Sequence, residues 1–129
     1  LDHKGAAFVR PDLSLAGGIT NVKKIAAIAE ANYVGVAPHN PLSCVLTAAC
    51  VQLDAAVHNI AVQEYPHDDD SGVKAELVKE PLKRVGGYLE VPTTPGIGVE
   101  LNEESFKHHP PVPYERPALI NYDGSLRDY

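Results

Sequence analysis

Three ionisable residues, Asp12, His39 and Glu64, each follow a short apolar run and are separated by 27 and 25 residues (39 − 12 and 64 − 39). An aspartate beside a histidine has a definite chemical use. The carboxylate accepts the N–H of one ring nitrogen, which fixes the tautomer and favours the imidazolium. The other ring nitrogen can then serve as general acid or general base. A glutamate on the far side of the histidine could hydrogen-bond a substrate or transfer a proton. Kept as a neutral carboxylic acid, it could donate to an oxyanion. All of this requires the three side chains to share one face.

The elements that must place them there are legible as a repeat. The apolar runs are Ala6-Ala7-Phe8-Val9, Tyr33-Val34-Gly35-Val36-Ala37 and Ile60-Ala61-Val62, and their marker residues Phe8, Val34 and Ile60 are 26 residues apart (34 − 8 and 60 − 34). Short, β-branched and aromatic, each reads as a buried strand. Helical sequence fills both intervals. The first helix is expected to start at Thr20 as N-cap and to run to Glu30, burying the stripe Val22, Ile25, Ala26 and Ala29. The second is expected to use Asn40 as N-cap, with Pro41 at the first helical position, and to reach about Val57. Apolar on most sides, it should be well buried. Such a unit is parallel and wound right-handed, so the three strand ends meet on one face. In α/β barrels that face carries the active site. Neighbouring strands ~4.8 Å apart would bring side chains at matching heights into contact. Spacing alone also fits a plainer account, in which Asp12, His39 and Glu64 cap elements and form turns.

Beyond Tyr65 the pattern changes. Residues 66–79 read as a polar loop with a short helix, residues 83–91 as an extended segment, and the final stretch as a tail rich in Pro and Gly, with Pro110, Pro111, Pro113 and Pro117. Hydrophobic residues make up 44% of the chain and charged residues 22%, a globular composition. The net charge of −6 comes with no basic stripe, which argues against nucleic acid as a partner. No apolar run approaches the ~20 residues of a membrane span, and Leu1 to Gly5 hold no signal-peptide core. The chain has no Met, even at position 1, and is expected to be a truncated piece. Cys44 and Cys50 fall six residues apart in the second helix (50 − 44), which puts their Cα atoms roughly 9 Å apart, beyond disulfide reach. Reduced core cysteines suit a cytoplasmic protein.

Three motifs carry a family resemblance. Arg10-Pro11-Asp12-Leu13-Ser14-Leu15-Ala16-Gly17-Gly18-Ile19-Thr20 resembles the sixth-strand signature of the mandelate racemase subgroup of the enolase superfamily. Ala37-Pro38-His39-Asn40-Pro41-Leu42 resembles the seventh, and Asn59-Ile60-Ala61-Val62-Gln63-Glu64 the eighth. Val85-Gly86-Gly87-Tyr88 and Pro95-Gly96-Ile97-Gly98-Val99-Glu100 resemble the stretch that closes the barrel and returns toward a capping domain. Together they cover most of residues 7–102, in order, and the galactonate-dehydratase branch is the best fit. Asn40 departs from the Cys expected in that branch.

The resemblance implies an α/β fold, the C-terminal part of a (β/α)7β TIM-like barrel (the last three strands and their helices), with residues 1–91 as barrel units and 92–129 as the returning segment. It implies a hydro-lyase that removes the C2 proton and 3-hydroxyl of an aldonic acid, through a magnesium-stabilised enediolate, to give a 2-keto-3-deoxy sugar acid. His39 would be the acid for hydroxyl departure, with Asp12 orienting it. Glu64 would hydrogen-bond the substrate carboxylate or enediolate, and His39, Glu64 and Asn40 would contact substrate. The Mg2+ ligands are expected on earlier strands, upstream of Leu1, with none in this chain, so the piece alone should not turn over. The whole protein is expected to be a soluble homo-oligomer acting on a small sugar acid. A racemase or epimerase of the same superfamily would use the same pair without losing water, and a non-catalytic barrel remnant would use neither. His67-Asp68-Asp69-Asp70 reads as a solvated loop rather than a metal site, and His108-His109 as surface.

Overall fold

A computed structural model describes residues 5–114 and 120–125. Pro117 and Leu1 to Lys4 lie outside the described residues. Two-residue strands β1 (Phe8–Val9) and β2 (Gly35–Val36) pair in parallel, Phe8 opposite Gly35 and Val9 opposite Val36. The ladder runs on through single bonds, Ala37 N–H to Val9 C=O at 3.0 Å and His39 N–H to Pro11 C=O at 3.0 Å, and through a parallel bridge between Asp12 and His39. The third run is less regular than its composition suggests. Ile60 meets Val36 in one parallel bridge, held by Val36 N–H to Asn59 C=O at 2.8 Å and Ala61 N–H to Val36 C=O at 2.9 Å. The order of the three segments is nevertheless the expected one, with the 33–37 run in the middle.

Helix α1 (Gly18–Ala31) joins the first two segments and buries Val22, Ala26 and Ala29, with Ile25 half-buried. It starts before Thr20. Gly17, at φ 88°, is the N-cap, and a Cβ there would stand 2.3 Å from the Asn21 side-chain nitrogen. The left-handed backbone at that point favours glycine. Helix α2 (Cys44–Asp54) also starts later than Asn40. Ser43 caps it, its Oγ accepting the Leu46 N–H at 3.2 Å. Asn40 lies four residues ahead of Cys44, and its buried side chain gives Nδ2 to Thr47 Oγ1 and to the Glu64 carbonyl. Leu13, Val22, Leu46, Cys50 and Leu53 form one core cluster; Ala26, Ala29, Val34 and Val36 form a second, with Val9, Val57 and Ile60 packed on it. Cys44 and Cys50 are both buried and free.

Past Tyr65 come α3 (Gly72–Glu76), β3 (Arg84–Val85), β4 (Tyr88–Leu89) and α4 (Ser105–His108). The 83–91 stretch is a hairpin, not one extended segment, because Gly86 and Gly87 take φ of 59° and 92° and reverse the chain. The tail returns on α3 through an antiparallel bridge between Val78 and Leu101 and a His109–Glu76 contact at 2.7 Å. No helix among the described residues is long and apolar enough to cross a membrane.

One residue at the end of α2 works against the fold. Asp54 Oδ1 is buried with no hydrogen-bond partner, and burial pushes its carboxyl up to about 7. A carboxylate at a helix C-terminus also opposes the helix dipole. Because the folded pKa lies above the unfolded one, the stability this group allows is full below pH ~4 and is lost as pH rises through about 7. Asp54→Asn is therefore expected to stabilise the protein by about 1–3 kcal/mol above pH 7. Melting temperatures across pH 4 to 8 should show that gain vanish at the acid end.

Candidate active site

Asp12 follows β1 in a tight turn, with Ala16 N–H bonded to Asp12 C=O and Gly18 N–H to Leu13 C=O, each at 2.8 Å. Its side chain has two faces with different duties. Oδ1 accepts the Ser14 N–H at 2.8 Å, the Ser14 hydroxyl at 2.5 Å and the Leu15 N–H at 3.2 Å. Oδ2 is left for His39 Nδ1, at 2.9 Å. Asp12 is 8% exposed. Burial pushes its pKa up, but the donors from Ser14, His39 and Leu15 together outweigh it and hold the carboxyl below its usual value. With Nδ1 committed, Nε2 of the half-exposed His39 ring is the nitrogen free to exchange a proton.

Glu64 closes the group from the third segment. Its Oε2 accepts the Asn40 backbone N–H at 2.7 Å and Arg10 Nη2 at 2.7 Å. The Asn40 N–H lowers the Glu64 pKa most; burial opposes it, and Arg10 lowers it further. Two donors on one oxygen favour the ionised form of Glu64 over the neutral acid. Arg10 stands two residues before Asp12, and strand alternation puts both on the same side; that parity was the available signal for it.

Asn40 does not present its side chain to the mouth. It is fully buried, its Nδ2 donating to Thr47 Oγ1 at 2.6 Å and to Glu64 C=O at 3.1 Å. The expected substrate contact is thereby corrected: Asn40 holds Glu64 from behind. Thr47 in turn donates to Asp69 Oδ2. The acidic stretch at 68–70 is accordingly not all solvated, since Asp69 is 1% exposed, with Lys74 at 3.9 Å and also bonded to Asp68 at 2.8 Å. Thr47 and Asp69 carried no sequence signal, because their partners are set by tertiary packing. Among the described residues no group of three or more His, Cys, Asp or Glu could hold a metal ion. These residues do not fit a magnesium site.

The geometry matches known proteins. Residues 1–105 match the family model described as enolase C-terminal domain-like. The chain is 39% identical over 136 residues to a D-galactonate dehydratase of Variovorax paradoxus, covering 100% of this chain and 36% of that protein. It is 39% identical over 132 residues to one of Xanthomonas campestris pv. campestris, covering 97% and 35%. An enolase of Agrobacterium radiobacter, crystallised with Na and L-malate, superposes with a TM-score of 0.83 at 33% identity, over 97% of this chain and 35% of that one. The chain thus spans about a third of the length of the curated relatives it matches. Its α/β units correspond to the C-terminal part of the TIM-like barrel, and it belongs to the enolase C-terminal domain-like family of the enolase superfamily.

Proposed function

We propose that the protein to which this chain belongs is a hydro-lyase of the D-galactonate dehydratase type, taking an aldonic acid to a 2-keto-3-deoxy sugar acid and water. The observation that carries this reading is the 2.9 Å contact between His39 Nδ1 and the buried Asp12 carboxylate, which leaves Nε2 as the proton-bearing atom. Loss of a 3-hydroxyl needs a proton on the departing oxygen. His39, as imidazolium, gives it from Nε2 and the oxygen leaves as water, while Asp12 holds the ring and balances its charge. The C2 proton goes to a base outside the described residues. Magnesium, the cofactor the family implies, would be held by residues beyond this chain and would supply Lewis-acid stabilisation.

Residues 92–129 would return toward a capping domain, and the buried free cysteines accord with the cytoplasm. The names of the relatives support the substrate class: two are D-galactonate dehydratases. Assay of the full-length protein on a panel of aldonic acids tests the reaction. A semicarbazide-positive keto acid is the expected product. Solvent deuterium appearing at C2 without keto acid would replace dehydration with racemisation, and neither signal on any aldonate would leave the barrel without this chemistry.

A further inference from the structure

Asn40 is the chain neighbour of His39, and it touches Glu64 at both ends. Its backbone N–H donates to Glu64 Oε2 at 2.7 Å, and its Nδ2 donates to the Glu64 C=O at 3.1 Å. A glutamate gripped at its backbone and at its carboxylate keeps little torsional freedom between them. Nδ2 also donates to Thr47 Oγ1, at 2.6 Å. Thr47 has one proton of its own, with Asp69 Oδ2 and the Ser43 C=O as acceptors, so toward Asn40 it can only accept. Two acceptors, Thr47 Oγ1 and the Glu64 C=O, therefore fix which end of the amide faces them. Asparagine fits that place; an ionised aspartate, with no donor, does not. Asn40 and Thr47 are 0% and 1% exposed, covered by this chain's own residues, and Thr47 rides on the packed helix α2. Folding alone does not ask for this arrangement. Asn40 Oδ1 is buried with no hydrogen-bond partner, which costs stability.

We propose that Asn40 is a positioning residue for the reaction: anchored on Thr47, it holds both ends of Glu64 and so sets that carboxylate beside His39. The proposal deepens the sugar-acid reading and rests on it, with Glu64 making the substrate contact expected of it.

The test uses the full-length protein with its divalent metal and D-galactonate, each variant being assayed well below its melting temperature. Asn40→Ala is expected to lower kcat/KM for keto-acid formation about 10- to 100-fold, the scale of a group misplaced by about 1 Å. Equilibrium binding of D-galactonate should weaken in the same direction. In a Glu64→Ala background the same change should cost less than about threefold, because the group it holds is already gone. A residue that merely supports the fold would cost the same in both. Thr47→Val should lower kcat/KM less and Thr47→Ser should restore it, so this pair decides the matter if Asn40→Ala does not fold. A crystal structure of the Asn40→Ala protein gives a readout without turnover: the Glu64 carboxylate is expected to leave the backbone N–H at position 40. Asn40→Ala activity within about twofold of wild type, equal losses with and without Glu64, or a Glu64 carboxylate unmoved within about 0.5 Å would each overturn the proposal. Wild type that binds D-galactonate but forms no keto acid would end the dehydratase reading and leave Asn40 to be judged by binding and displacement. Wild type that binds no sugar acid would leave the displacement of Glu64 to decide.

Discussion

In the full-length protein, Asp12→Asn is expected to cut kcat roughly 10²–10⁴-fold, the range for losing a positioned proton donor. The size follows from which end of the new amide faces the histidine. Ser14 N–H, Ser14 Oγ–H and Leu15 N–H all donate to Oδ1, so an asparagine keeps its carbonyl oxygen there and turns its NH2 toward His39. Nδ1 must then accept instead of donate. The imidazolium that would protonate a leaving hydroxyl loses its counter-charge. His39→Asn should cost as much, and the double variant little more than either single change, because residues that act as one unit are not additive. Asp12 also carries a pH signature. Its folded pKa is depressed, so its share of stability is present above the unfolded value of ~3.9 and is lost as pH falls through the folded one. The Asp12→Asn protein should lack that acid limb in its melting temperature. A loss of kcat under tenfold would remove the Asp12–His39 pair from the chemistry.

The three polar segment ends could be read without coordinates because they depend on period and order. Asp12, His39 and Glu64 sit at one end of a parallel unit whatever the detailed register, and the Val22, Ala26 and Ala29 stripe follows from helical spacing alone. What escaped was decided by which partner claimed a polar group. Asn40 looked like a helix cap because Pro41 follows it, yet its amide goes to Thr47 and Glu64 C=O, and the cap falls to Ser43. Asp69 looked solvated among its acidic neighbours, but one hydroxyl from α2 draws it inside. Gly17 moved the start of α1 because a left-handed turn, not a side-chain cap, closes the loop from Asp12. Arg10, in sequence a mere neighbour of Pro11, stands beside Glu64 and favours its ionised form. Propensity locates elements; competition for hydrogen bonds fixes their ends and the charge state of the site.

That competition yields the second large effect, at Thr47. Its hydroxyl receives the Asn40 amide at 2.6 Å and donates to the buried Asp69 carboxylate, so one oxygen ties the 68–70 loop to the residue that braces Glu64. Thr47→Val keeps the shape and deletes both links. Burial already pushes the Asp69 pKa up, and the Thr47 hydroxyl is the strongest group holding it down. Without it Asp69 is left with Lys74 at 3.9 Å. A buried carboxylate stripped of its donor costs roughly 2–4 kcal/mol, read as a fall in melting temperature of the full-length protein. The loss should depend on pH in a direction that identifies its cause. A folded pKa raised further above the unfolded value gives stability that is full at low pH and lost as pH rises, so Thr47→Val should be hurt more at pH 8 than at pH 5. Asp69→Asn in the same background should recover more of the loss at pH 8 than at pH 5, because it removes the buried charge. Equal losses at both pH values would mean that the hydroxyl is packing rather than bracing, and the link from the acidic loop to Glu64 would then carry no energy.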